Sequence, residues 1–386
     1  MNIKSLLLGS AAALVAVSGA RAADAIVAAE PEPVEYVRVC DAFGTGYFYI
    51  PGTETCLRIH GYLRYDIMGG DLYSHTSRTG DETYNKQMRF SFRTSTASET
   101  ELGTLRTYTE TRFNWADSQD VVPGTFPVTT ANGYSHGSNV SLNFAWIQLG
   151  GLRVGKDESL FSTFTGYAGA VIQDTLAGGY GPFDTNLISY TYNSGAFRAA
   201  IALEQGASDT GYVNGVALAA TARSGWGIDD YMPHVVVGLG YNAGMVDLSG
   251  VFAWDSRDDL GAVQYGGWAA KLRADVTIND MASVFAMLQY GENSSGYTTW
   301  ANGLSTDETW SVIAGGTLNV SEKASINVQG QWVESNTVNS DAWSLVGNVA
   351  YTLVPGLVVT PEVAYYDDGS VNGGDFGAQL RVQRSF

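Results

Sequence analysis

Between residues 57 and 67 the chain alternates. Leu57, Ile59, Gly61, Leu63, Tyr65 and Ile67 fall on one side of an extended segment, and Arg58, His60, Tyr62, Arg64 and Asp66 fall on the other. A period of two sends successive side chains to opposite faces of a sheet, so this stretch predicts a strand with one apolar and one polar face. Met88, Phe90 and Phe92 alternate with Arg89, Ser91 and Arg93 in the same way. After a polar turn at 97–101, Leu105, Thr107, Thr109, Thr111 and Phe113 alternate with Arg106, Tyr108, Glu110 and Arg112. Further strands are predicted at 139–149, 151–157, 186–194, 196–205, 234–242, 245–255, 266–278, 281–291, 309–319, 323–333, 341–353, 357–367 and 375–386. The total is about sixteen, an even number within the range of bacterial membrane barrels.

The connectors alternate too. Short turns at Gly150 and Gly151, at 242–244, at Asn279 and Asp280, and at Pro355 and Gly356 are interleaved with long polar segments at 68–85, 116–138, 157–185, 206–233, 256–265 and 291–308. The last two such segments, 334–340 and 368–374, are shorter. Gly, Asn and Pro supply the backbone geometries of tight hairpins. Short turns at one end and long loops at the other describe an outer-membrane barrel, whereas a propeller or solenoid would repeat at a fixed sequence period. Tyr65, Trp115, Tyr241, Trp254, Trp268, Tyr290, Trp310, Trp332, Trp343, Tyr351 and Tyr365 lie near strand ends on the apolar face, where an amphipathic ring suits the headgroup level. A soluble sandwich is the competing reading, but it would leave a charged face on every strand without an apolar surrounding to explain the other.

Composition narrows the choice. Hydrophobic residues make up 45% of the 386, aromatics 12%, and the net charge is −18. That is too apolar for an acidic disordered chain and too negative for a nucleic-acid partner, which needs a basic face. At the N-terminus, Lys4 precedes an apolar run at 5–17 and then Ala20, Arg21 and Ala22, the small-x-small pattern of a cleaved signal peptide. The run is too short for a spanning helix, which needs ~20 residues. The expected organisation is a signal peptide at 1–22, a periplasmic segment at 23–56 and an all-β transmembrane antiparallel barrel at 57–386. Cys40 and Cys56, the only cysteines, enter an oxidising compartment and are expected to form a disulfide. Two thiols and His60 are too few ligands for a metal site, and no cofactor is expected.

The terminal Phe386, with Val382, Leu380, Ala378 and Phe376 alternating behind it, looks like the assembly signal of outer-membrane barrels. Arg384 departs from that pattern, and either snorkels to the interface or meets a partner subunit. Several blocks carry a wider resemblance: VEYVRVCDAFGTGYFYIPGTETCLRIHGYLR at 34–64, then SETELGTLRTYTETRFN, IQLGGLRVGKDES, ALEQG, YMP, TPEVAY and the terminal QRSF. Across nearly the whole mature chain these resemble the general-diffusion porins of alphaproteobacteria, of the rhizobial type. The resemblance implies a homotrimer in the outer membrane, among lipid and lipopolysaccharide, passing ions and small hydrophilic solutes. It also implies a third loop folded into the lumen as a constriction. In that family the new N-terminal alanine can be joined to peptidoglycan, and Ala23 stands at the equivalent place.

In a constriction of this kind carboxylates on the loop face cations on the wall, and the transverse field orients solutes. The wall candidates are Arg64, Arg89, Arg93, Arg106 and Arg112, expected to meet few opposing acids; Arg58 shares their face nearer the periplasm. The plainer alternative is packing against Glu110 or Asp66. The loop candidates at 157–185 are Asp157, Glu158, Asp174 and Asp184, with Asp157 and Glu158 at its base equally suited to anchoring. Phe161, Phe164, Tyr167, Tyr180 and Phe183 could form a sugar slide or simply pack. Acidic tips at Asp229 and Asp230, at Asp255, Asp258 and Asp259, and at Asp367 and Asp368 are read as solvated rather than cation-binding.

Rival functions fare worse. There are four histidines, His60, His75, His136 and His234, and no G-x-S-x-G elbow, so an enzyme is a weak alternative. His75, His136 and His234 read as solvated loop or strand-start residues. A structural or adhesin barrel and an oligosaccharide-selective channel remain as variants. An acidic mouth favours cations and an arginine-rich constriction favours anions, and the balance is read toward cations.

Overall fold

The computed structural model describes residues 37–76, 82–117, 137–206, 212–213, 216–217, 231–259, 264–301, 306–334, 341–369 and 373–386. The signal peptide, Ala23, His136, Asp229 and Asp230 lie outside them, as does the side chain of His75. The chain divides into two units, Met1–Arg38 and Val39–Phe386, and every strand of the barrel belongs to the second.

Sixteen long strands close into an antiparallel barrel. They are β1 (Cys56–Gly69), β2 (Asn85–Thr100), β3 (Gly103–Ala116), β4 (Gly137–Leu149), β5 (Leu152–Glu158) and β6 (Asp184–Ser194). Then come β7 (Phe197–Gly206), β8 (His234–Asn242), β9 (Val246–Asp255), β10 (Gly267–Asn279) and β11 (Ala282–Glu292). The ring is completed by β12 (Glu308–Ser321), β13 (Ala324–Val333), β14 (Ala342–Val354), β15 (Leu357–Asp367) and β16 (Asp375–Ser385). Each pairs with the next, and β16 returns to β1 with Tyr62 opposite Ser385 and Gly69 opposite Ala378. Closure removes the free edges that an open sheet of this size would expose.

The two faces are those of a lipid-immersed barrel. On β12 and β13 the apolar Trp310, Val312, Val328 and Trp332 are exposed, while Ser311, Gln329 and Gln331 are buried inside. Outward aromatics run unbroken over eight neighbouring strands: Trp254, Trp268, Tyr290, Trp310, Trp332, Trp343, Tyr365 and Phe376 on β9 to β16. Adjacent rings touch, Tyr290 and Trp310 at 4.2 Å and Tyr365 and Phe376 at 4.7 Å between centroids. The outer face of β2 and β3 differs. There Thr94 pairs with Thr109, and Thr96 with Thr107, each through hydroxyls 2.6 Å apart.

The C-terminal residue completes the seam. Phe386 exchanges backbone hydrogen bonds with Gly61 at 3.1 and 3.0 Å, and its ring stacks on Phe90, which stacks on Phe113. Gly61 makes room, because a Cβ there would lie 2.0 Å from the Ser91 carbonyl and 3.3 Å from the Phe386 ring. Arg384 turns back and donates to the Pro355 carbonyl at 2.7 Å.

Below β1, Cys40 and Cys56 form the expected disulfide. The loop it closes spans a sequence separation of 16 and includes the short strand Phe48–Tyr49, which pairs with the start of β1. In the chain-entropy picture such a closure restricts the unfolded state by about 3 kcal/mol. A Cys40→Ser, Cys56→Ser variant is therefore expected to unfold at lower urea concentration than the parent, with no difference between them once reductant is present. Equal midpoints under oxidising conditions would show that the loop gains nothing from closure.

Among the described residues two loops fold onto the inner wall of β7 to β10, and Tyr73 of the first long connector also turns in against Met68, Val171, Val346 and Ala364; only the crossing at 159–183 is foreseen by the sequence. The segment 159–183 crosses the lumen, carrying the short helix α1 (Leu160–Thr163). The segment 293–301, predicted as an outer polar loop, also turns in: Tyr297, Trp300 and Ala301 are buried. Both rest on an apolar inner wall made by Ala200, Ala202, Val236, Val251, Ala253 and Ala269 of β7 to β10, together with Leu160 and Phe161. A lumen lined by alanine and valine cannot face water at no cost, so this wall is covered. His234, expected to be solvated, is instead fully buried beside Asp255 and the Tyr297 ring.

Candidate functional site

The third loop owes its path to wall side chains that hydrogen-bond its backbone. Lys271 donates to the Tyr180 carbonyl at 2.7 Å, Gln331 to Gly178 at 2.8 Å, Gln329 to Asp174 at 2.8 Å and Asn348 to Ala170 at 3.1 Å. Arg273 donates to the carbonyls of Tyr167 and Ala168. Glu362 accepts from the backbone amides of Ile172 and Gln173, and is itself held by Asn348 and Gln379. A loop in this position must have its backbone groups satisfied, and the inward register of β10 to β15 supplies the partners. At its start, Glu204 on β7 accepts from Ser159 Oγ at 2.7 Å, from the Leu160 amide at 2.7 Å and from Tyr297 Oη at 3.0 Å. One buried carboxylate thus ties both infolded loops to the wall. The second loop also grips the first, since Gly181 donates to Thr299 Oγ1 at 2.8 Å.

The arginines occupy the inner face of β1 to β3, but they are not unopposed. Asp66 and Glu110 are completely buried among them. Glu110 pairs with Arg93 at 2.8 Å and with Arg112. Asp66 pairs with Arg381 of β16 at 2.7 Å and lies 3.7 Å from Arg64. Arg89 donates to Asn114 at 2.7 Å. The expectation of few opposing acids is therefore corrected. Register explains it: Glu110 lies opposite Arg93 across the β2–β3 ladder, and Asp66 follows Arg64 by one inward step. Guanidinium groups also stack on Tyr62, Arg93 at 5.1 Å and Arg64 at 5.7 Å from the ring centre. Arg106 does not join this network. It lies two inward steps below Glu110, opposite Ala97 and Gln148, toward the short-turn end.

The four loop acids separate in the same way. Asp157 ends in an ion pair with Arg153 of its own strand at 2.6 Å, and Asp184 opens β6 beside Lys156 at 3.3 Å. Glu158 accepts from Tyr167 Oη and lies within electrostatic reach of Arg112. Asp174 alone of the four sits in mid-crossing, accepting from Tyr180 Oη at 2.8 Å. Burial raises its carboxyl to about 6, with nearby Glu362 adding to the rise, while the Tyr180 hydrogen bond and Arg381 oppose it. Phe161 and Tyr180 are buried behind the loop and do not form a slide; Tyr167 and Phe183 reach the lumen. Of the acidic outer tips, Asp255 is no solvated group but a buried partner of Arg257 at 2.6 Å, and it accepts from the Gly296 amide.

Sequence reasoning missed Arg381, Glu362 and Glu204. Each lies on the inward register of its strand, so alternation alone marks them as lumen residues. What alternation lacks is the knowledge of which lumen residues face the infolded loop.

A barrel with a constricting loop invites comparison with known channels. The family model described as "Porin subfamily" matches residues 24–383. The chain belongs to that porin family. Porin Omp2b of Brucella suis biovar 1 and Porin Omp2b of Brucella abortus are each 49% identical over 401 residues, covering 100% of both chains. Among solved structures, the outer membrane channel DcaP of Acinetobacter baumannii superimposes with a TM-score of 0.64 at 15% identity, over 88% of this chain and 99% of that one. The anion-selective porin from Comamonas acidovorans gives a TM-score of 0.56 at 14% identity, over 86% and 100%. The protein is thus an integral outer-membrane β-barrel of the porin class, forming a channel for passive diffusion.

Proposed function

We propose that this porin passes ions and small hydrophilic solutes through a gap between the third loop and the arginine wall, and that a transverse field there orients them. The observation that carries this reading is the third loop fixed across the lumen, with Glu158, Asp174 and Glu362 on its side and Arg64, Arg89, Arg93, Arg112 and Arg381 on the other. Asp66 and Glu110 offset part of the wall charge, so the two sides are of comparable strength and opposite sign. Such a site sorts by dipole and size and discriminates only weakly between small cations and anions. The porin of Comamonas acidovorans is described as anion-selective; the loop-side acids here argue for weaker discrimination.

The functional unit is proposed as a homotrimer. Support comes from the outer face: the aromatic belt covers β9 to β16, while β2 and β3 present paired threonines and the Phe90, Phe113 and Phe386 cluster. This threonine-bearing strip is less apolar than the aromatic belt, and small hydroxyl side chains allow the close approach of a neighbouring subunit. The leader at 1–22 is proposed to be cleaved, leaving Ala23 to join peptidoglycan, and the rest of the molecule to sit among lipopolysaccharide and phospholipid. No catalytic role is proposed. The cluster of Ser256, His234 and Asp255 does not form a relay, because Ser256 Oγ and Asp255 Oδ1 both meet the same His234 nitrogen, at 3.2 and 3.3 Å.

The test is single-channel current across a planar bilayer under a salt gradient. Stepwise openings with closures in threes and a small reversal potential are expected. A folded barrel that conducts nothing would overturn the channel reading, and a reversal potential close to the ideal value for one ion would overturn the balanced constriction.

A further inference from the structure

Toward the short-turn end, below the arginine network, the inward register of β1 to β5 changes character. Reading across the ladders, Arg58 lies opposite Ser95, Ser95 opposite Tyr108, Tyr108 opposite Trp146 and Trp146 opposite Gly155. One step lower, Ala97 lies opposite Arg106, Arg106 opposite Gln148 and Gln148 opposite Arg153. Tyr108 and Trp146 stack with ring centres 5.4 Å apart and both are half-buried. His60 extends the aromatic strip at 6.2 Å from Tyr108.

The rings are fixed in place. Tyr108 Oη donates to Glu110 at 3.2 Å. The Arg153 guanidinium lies 4.1 Å from the Trp146 ring centre and is itself locked by Asp157 at 2.6 Å and by Gln148 at 2.7 and 3.0 Å. Gly155 is required beside Trp146, because at its φ of 136° an added Cβ would lie 2.7 Å from Trp146 Cα. The neighbours on the other side, Ser95 and Ala97, are small and keep the floor next to the strip low.

Arg106 is exposed and has no hydrogen-bond or ion-pair partner among the described residues, unlike Arg93, Arg112 and Arg153. Arg58 likewise has none among them, and its Nε lies near Gly46 of the disulfide loop. A rigid apolar strip beside an unneutralised guanidinium group matches a small solute that is apolar at one end and anionic at the other. Guanidinium groups bind planar carboxylates through two parallel hydrogen bonds. Aromatic edges and faces gain from contact with a second ring.

We propose that Tyr108, Trp146 and Arg106 form a binding platform for aromatic carboxylates in the periplasmic half of the lumen, with Arg58 as a second cation. The platform rests on the channel reading above but is separate from the constriction, so the two can fail independently.

The experiment adds phenylacetate, acetate or benzyl alcohol to the short-turn side of trimers in a planar bilayer and records transient blocks of the potassium chloride current. Phenylacetate is expected to give resolved blocks, and acetate and benzyl alcohol none, since each lacks one half of the recognition. In Arg106→Gln the dwell time of the phenylacetate block should fall by about tenfold, the scale of one charge-assisted hydrogen bond. Trp146→Leu should shorten it as well, with benzyl alcohol still silent. Arg106 is exposed, so its substitution leaves folding intact, and heat-modifiable migration of the trimer confirms that for both variants. Channels that conduct but respond equally to phenylacetate and acetate, or whose phenylacetate dwell is unchanged in Arg106→Gln, overturn the platform and leave the channel standing. Absence of any conductance in the parent overturns the channel reading instead.

Discussion

Glu204→Ala channels are expected to flicker. The Glu204 carboxylate is fully buried and takes hydrogen bonds from Ser159, the Leu160 amide and Tyr297. Truncation leaves those donors buried without an acceptor, at about 1–3 kcal/mol for each unsatisfied group. Even two of them amount to a shift of roughly 30-fold or more in the balance between the latched and released loop start. The third loop has many further anchors on β10 to β15, so it does not leave the lumen. Its α1 end, which no other wall carboxylate among the described residues holds, gains freedom, and so does 293–301, which shares the pin. The expected record is frequent rapid closures at voltages where the parent stays open, together with faster proteolysis at 293–301. Glu204→Gln keeps an acceptor and should show a smaller effect. Quiet Glu204→Ala channels, indistinguishable from the parent, would show that the anchors on β10 to β15 alone hold the loop.

Acidification should move the selectivity toward anions, through Asp174. Its carboxyl titrates at about 6. Above that value the loop side carries its charge, and below it the charge is gone while the wall arginines keep theirs. Reversal potential measured from pH 8 to pH 5 should therefore drift toward anion preference with a midpoint near 6. Asp174→Asn should flatten that step and hold the channel at its acidic value throughout. Stability follows the same proton. Between the ordinary 3.8 and the folded value of about 6 the folded loop binds a proton that the unfolded chain does not, so its anchoring weakens as pH rises across that window. A step in the parent that persists unchanged in Asp174→Asn would place the titrating group elsewhere.

Legibility in the sequence differs from element to element. Strands β8 and β15 fall where alternation puts them, at 234–242 and 357–367, and most others differ by a residue or two at each end. The arginines of β1 to β3 are also legible as lumen residues, because their register is set by the apolar face they alternate with. Their pairing is less so. Asp66 finds Arg381 from the far end of the chain only because β16 closes on β1, a distance of 315 residues in sequence. The inward turn of 293–301 has a trace that could have been followed. Residues 235–240 and 251–253 are apolar in both registers, as a strand is when neither face meets water. Trp300 and Tyr297, in an otherwise polar loop, are the cover for that wall.

The sequence by itself determined the barrel, a strand number of about sixteen, the sidedness of the first three strands, the disulfide and the membrane it lives in. All of these rest on local period and composition, and a one-residue slip would turn every side chain to the wrong solvent. Only the tertiary structure decided where the working charges stand. Whether Arg93 is free or neutralised, whether Asp174 faces Arg381, and whether Arg106 lies at the constriction or beneath it depend on distances across a lumen between residues far apart in the chain. Alternation says which way a side chain points; closure and the infolded loops decide what it meets there.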